Sequence, residues 1–255
     1  MPYDGRPEVR VNVSTEADLP QSEPRTVPPA LLALAAPEVG MERQARIGTA
    51  RLAFLAAFVC ALLSAFMQSS RIDARSSTLA KLDLGGKLAE MSEKQVDDEV
   101  KSDERLAQVK TIAGGVLKAP FSLGFGALSV VFLVWFLRGK IKGRAVVPVA
   151  AAALLPGAIA SLLDAASAFG RTSLPAEHPV LAPRDLGAVL ASLGHALTGP
   201  ALKLATALDF FSLWGALLLG FGVAFTGDVP MRRALTGTLV AWVCWRLLTT
   251  VAAGG

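Results

Sequence analysis

The chain has 255 residues, 53% of them hydrophobic and only 18% charged, with a formal net charge of +4 and a mean hydropathy of +0.49. That composition is too apolar for an ordinary soluble domain and places the chain in a bilayer. The basic residues form no single patch and no recognition motif accompanies them, so the positive charge points to membrane orientation and away from nucleic acid.

Residues 1–40 hold seven of the fifteen prolines, six acidic and three basic residues. Such a composition buries too little to order itself, which predicts a Pro-rich disordered tail over residues 1–44. The apolar patch Ala30–Ala36 inside it stops at Pro37, too short to cross a membrane, and is expected to be a linker or to lie on a surface.

After Arg43, Arg46 and Arg51, the nineteen uncharged residues Leu52–Ser70 would extend about 28 Å as a helix, enough for a first uncleaved crossing at about 50–69. The following outer loop, 70–118, is densely charged. Within it Ser92 and Gln95 have capping-box spacing, and Val96, Val100 and Leu106 or Ala107 recur at helical intervals, predicting an amphipathic helix that is either simply solvated or a docking surface.

A second crossing is expected at about 119–138, with Pro120 in its first turn where a missing amide costs least. Arg138, Lys140, Lys142 and Arg144 follow with no acid among them. The third crossing, 146–169, should kink at Pro156, and it carries Asp164 near its far end. In the outer loop 170–203, Asp185 is spaced to cap a short helix with Leu186, Val189, Leu190, Leu193 and Leu197 on one face.

The fourth crossing, 204–226, contains Asp209 within an apolar run, and the turn Gly227–Pro230 leads to a fifth at 232–252. The expected fold is therefore all-α: a polytopic bundle of five transmembrane helices with amphipathic helices in the outer loops. The excess of Lys and Arg beside short segments puts the amino terminus in the cytoplasm and the carboxyl terminus outside. The composition fits a bacterial inner membrane.

In that topology Asp164, Asp209 and Arg246 fall at one depth. Charges in a bilayer are expensive, which predicts an intramembrane charge cluster in which Arg246 pairs with Asp209, Asp164 or both, or else snorkels beside Trp242 and Trp245. Ala205, Asp209, Ser212, Ala216 and Gly220 share one small helix-packing face along the fourth crossing. Cys60 and Cys244 lie in apolar runs as packing residues. His178 and His195 have no ligand spacing around them, so no metal, cofactor or catalytic residue is assigned.

The last two crossings resemble the closing segment of the Ypt-interacting protein (Yip) domain family, particularly its bacterial branch. The resemblance is carried by Leu208-Asp209-Phe210-Phe211-Ser212-Leu213-Trp214, Gly220-Phe221-Gly222, Thr226-Gly227 and Arg232-Arg233-Ala234-Leu235. Ala153-Leu154-Leu155-Pro156 and the five-span layout are similar too, extending the likeness over about Arg46 to Ala252. It implies a compact helical membrane domain that acts through partners; eukaryotic members do so in vesicle traffic with small GTPases. The Pro-rich tail shows no counterpart of their partner-binding segment. The expected role is a non-catalytic accessory or scaffold protein with a membrane-protein partner or a second copy of itself, the alternative being a small-molecule or proton-coupled transporter, or a transport-complex subunit, using Asp164 and Asp209.

Overall fold

The computed structural model describes residues 27–175, 184–195 and 197–252. In chain order the helices are α1 (Pro29–Ala35), α2 (Pro37–Ile47), α3 (Ala50–Ser69), α4 (Arg75–Leu84), α5 (Glu93–Phe136), α6 (Gly143–Ala153), α7 (Leu155–Phe169), α8 (Leu186–Ser192), α9 (Gly199–Ala207), α10 (Phe210–Gly227) and α11 (Met231–Ala252). A two-residue parallel pair, β1 (Ile72–Asp73) with β2 (Leu174–Pro175), ties the ends of α3 and α7 together. Among the described residues, four helical stretches are long and apolar enough to cross a membrane: α3, α5, α6 with α7, and α10. They make this a membrane-embedded, all-α protein. α11 is of similar length, 22 residues, but Arg232, Arg233, Arg246 and four threonines dilute its apolar character.

The bundle has two distinct ends. At the basic end lie α1, α2 and the turns carrying Arg138–Arg144 and Arg232–Arg233; at the loop end lie α4, α8 and α9. The expected disordered tail gives way to structure at residue 29. Proline suits the first turn of a helix, and here Pro29 opens α1 and Pro37 opens α2. The two helices fold back on each other because Gly40 lets them touch; a Cβ there would collide with the backbone of Ala33. The hairpin is part of the body: Ala33 and Met41 are fully buried, and α2 packs on α6 and α10. Gln44, also buried, donates through Nε2 to the carbonyls of Thr49 and Pro148, both at 3.2 Å. The remainder of the tail, residues 1–26, lies outside the described residues, as does His178.

Around this hairpin the half of the bundle nearest the basic end is filled. Met41, Val130, Val134, Val149, Leu218 and Val223 are all completely enclosed. The α5–α6 turn seals that end: the amides of Lys140 and Lys142 donate to the carbonyls of Gly227 and Thr226, satisfying acceptors that the last turn of α10 leaves open. Lys142 Nζ also lies 2.5 Å from Asp228 Oδ1.

The second crossing differs in outline from the sequence expectation. The capping box at Ser92 and Gln95 forms, but α5 then runs unbroken for 44 residues, so Pro120 sits in mid-helix instead of in a first turn. The hydrogen bond it forfeits does not break the helix, as neighbouring helices commonly make up for prolines inside membrane bundles. The third crossing is divided as expected near Pro156: Leu154 ends α6 and begins α7, since Pro156 has no amide to continue the ladder.

Gly222 is the tightest point of the filled half, where an added Cβ would run into Val149 with Met41 Cε 3.0 Å away. Gly222→Val should therefore lower stability by about 1–3 kcal/mol through overpacking, seen as an earlier thermal unfolding transition in detergent. An unchanged transition would mean that α2, α6 and α10 do not meet there.

Candidate functional site

The loop-end half of the bundle is hollow. A cavity of about 900 Å³ lies between α3, α5, α6, α7, α10 and α11, a volume at the upper end of ordinary ligand pockets. Its body is apolar and small-sided, with Ala57, Ala150 and Gly157 among its lining, and its loop-end rim carries Lys118, Arg184, Asp209 and Arg246.

Asp209 was expected inside a continuous helix, together with Ala205, but the chain breaks there. α9 ends at Ala207, Asp209 adopts an extended backbone, and its Oδ1 accepts from the Phe211 amide at 3.1 Å to start α10. A short carboxylate satisfies free amides at a helix start better than it tolerates a helix interior, and the positive end of the helix dipole favours its charge. The expected small face is correspondingly split. Ala205 is buried on α9, Ser212 and Ala216 line the cavity, and Gly220 packs against Leu235 of α11.

Arg246 reaches this cap from α11. Its Nη2 donates to Ser212 Oγ at 2.6 Å and stands 3.5 Å from Asp209 Oδ2, while its guanidinium carbon lies 5.9 Å above the Trp242 ring. Pairing and the tryptophan contact, posed as competitors by the sequence, occur together. Cys244 faces outward from α11 and is exposed, so it is not a packing residue.

Arg246 thus has Asp209, one of the alternatives posed for it, and Asp164 has another partner. Asp164 is buried on α7 at 3% exposure, and Arg184 Nη1 donates to its Oδ2 at 2.6 Å. Arg184 is delivered by backbone pairing: the Phe210 amide donates to the Arg184 carbonyl and the Leu186 amide to the Leu208 carbonyl, an antiparallel bridge centred on Asp185 and Asp209. Asp185 caps α8 as its spacing predicted, accepting from Ala188 at 2.8 Å. α8 stops at Ser192, so Leu197 does not belong to its face.

Lys118 completes the cluster from α5, donating to Ser161 Oγ on α7 at 3.1 Å within electrostatic reach of Arg184, Asp164 and Asp209. Sequence reasoning left Lys118 and Arg184 in the outer loops. The available signals were local: Lys118 immediately precedes the apolar run of the second crossing, and Arg184 immediately precedes the capping Asp185. His195 is exposed, away from this cluster. No family model, curated protein or solved structure matches the chain.

The two ion pairs should behave differently on mutation. Arg184→Gln strands the buried Asp164 carboxylate and should cost about 3 kcal/mol or more, read as thermal unfolding in detergent. Arg246→Gln and Asp209→Asn, made singly and together, should show a coupling of about 1 kcal/mol; strict additivity would mean that the 3.5 Å approach contributes nothing.

Proposed function

We propose that this chain is a Yip-like accessory or scaffold protein of the bacterial inner membrane, acting by holding a partner membrane protein. In this reading α11 is a fifth crossing, the basic end with α1 and α2 faces the cytoplasm, and the loop end and carboxyl terminus face outward. The excess of Lys and Arg at the turns supports that orientation.

The observation that carries the reading is the outer half of α5. The helix continues beyond its apolar span, where Leu106 and Val109 extend the stripe that Val116 and Leu117 begin beside Gly115, at the level of Ala61 and Ala65 of α3. Val109 is 64% exposed. The other side of the helix is already occupied: Thr78 of α4 donates to Asp103 at 2.8 Å, and Val100 is buried. The stripe runs on into the exposed Phe121, Leu128 and Trp135 of the span. An apolar face that continues past the span suits a partner helix that itself crosses the bilayer and continues alongside α5. The resemblance to a family that works through partners points the same way.

The transporter reading draws on the charged cavity, with Asp164 and Asp209 as its working groups. Against it, both carboxylates are held in ion pairs, and the packed layer from Met41 to Val223 fills the bundle beneath the cavity. Flux into liposomes that Asp209→Asn abolishes would favour transport.

A photo-crosslinking residue at Val109 in native membranes should capture one membrane-protein partner in near-stoichiometric yield, and Leu106→Glu with Val109→Glu should abolish capture while the purified protein unfolds as the wild type does. Self-crosslinks alone would replace the partner by a second copy; no specific product would overturn the scaffold reading.

A further inference from the structure

We propose that the hollow loop-end half of the bundle is a binding site for an anionic, phosphate-headed lipid, with its headgroup among Lys118, Arg184 and Arg246 and an acyl chain in the apolar body. The charges at the rim do not balance. Arg184 is matched by Asp164 and Arg246 by Asp209, whereas Lys118 has the neutral Ser161 hydroxyl as its hydrogen-bond partner. Among the described residues three cations therefore face two carboxylates, one of which, Asp209, is also committed to capping α10. Lys118 is exposed at this rim, so an anion can reach its ammonium, and a phosphate offers several acceptor oxygens to guanidinium and ammonium groups arriving from separate elements. Trp242 also lines the cavity, and its buried indole N–H has no acceptor among the described residues.

The rest of the cavity selects an amphiphile over a free ion. From Lys118 to Leu133 its wall along α5 is about 22 Å long at 1.5 Å per residue, and both residues line it. Below the rim the wall consists mainly of alanine, glycine, leucine and phenylalanine with a few hydroxyls, a surface suited to a hydrocarbon chain. Access is lateral. α11 packs chiefly along α10 and only sparsely on α5, and between them Phe125 and Trp245 face each other at 5.1 Å while each remains about half exposed. This aromatic pair lies at the seam through which a chain would pass from the bilayer.

The proposal is tested on the full chain in mild detergent by native mass spectrometry, titrating phosphatidylglycerol against phosphatidylcholine. One phosphatidylglycerol should be retained about tenfold more tightly than phosphatidylcholine, equivalent to about 1.4 kcal/mol. Lys118→Gln should remove most of that preference. Gly157→Leu should weaken retention of the chain itself: Gly157 lines the cavity, a Cβ there meets nothing within 4 Å, and leucine suits a helix better than glycine. Inorganic phosphate should not displace the lipid. Equal retention of both lipids, an unaltered preference in Lys118→Gln, or displacement by inorganic phosphate alone would each overturn the proposal. Lys118→Gln adds no bulk, so it decides the headgroup claim even if Gly157→Leu does not fold.

Discussion

The ion pair between Asp164 and Arg184 is the contact on which the loop end of this protein depends. A carboxylate on a membrane-embedded helix, buried and far from bulk water, requires a cation within hydrogen-bonding distance. Arg184 supplies it from the connecting segment before α8. For that residue to be in place, the segment must be fixed, and the backbone bridge between Asp185 and Asp209 fixes it. The same bridge sets where α10 begins, because Asp209 is both a bridge residue and the cap. One buried charge thus links α7, α8, α10 and, through Arg246, α11.

This arrangement divides the bundle by depth. Toward the basic end, helix contacts are close and apolar, with the α1–α2 hairpin inserted so that Met41 is wholly enclosed against α6 and α10. Toward the loop end, α3 packs closely on α5 and α7 through small residues, Gly115 against Ala61 and Ala65, while the 900 Å³ cavity opens between them and α10 and α11, with polar pairs at its rim. The filled half supplies packing energy and the hollow half supplies space for a ligand. The loop-end length of α5 leaves a third feature, an apolar stripe that α4 does not cover.

Much of this was legible in the sequence because hydrophobic run length, proline position and capping spacing are local properties. The first crossing at 50–69, the capping box at Ser92, the Asp185 cap and the bend at Pro156 all rest on such signals and appear in the structure. The α1–α2 hairpin is not legible from composition, because its prolines stand at helix starts and its buried face is only five residues, Ala30, Ala33, Gly40, Met41 and Gln44, two of them polar or lacking a side chain. Of the alternatives posed for Arg246, the structure has the one with Asp209; the partner of Asp164 is Arg184, which comes from a segment whose position depends on a long-range backbone bridge that no sequence spacing encodes. The cavity was equally invisible, since it is the space left between helices.

The claim that Asp164, Arg184 and the Asp185–Asp209 bridge form one unit is tested most directly by hydrogen–deuterium exchange on Arg184→Gln. The bridge amides of Leu186 and Phe210 should lose protection together, while peptides from α2, α6 and the end of α10 keep theirs. Retained protection at Leu186 and Phe210 would show that the bridge stands without the ion pair, contradicting the account.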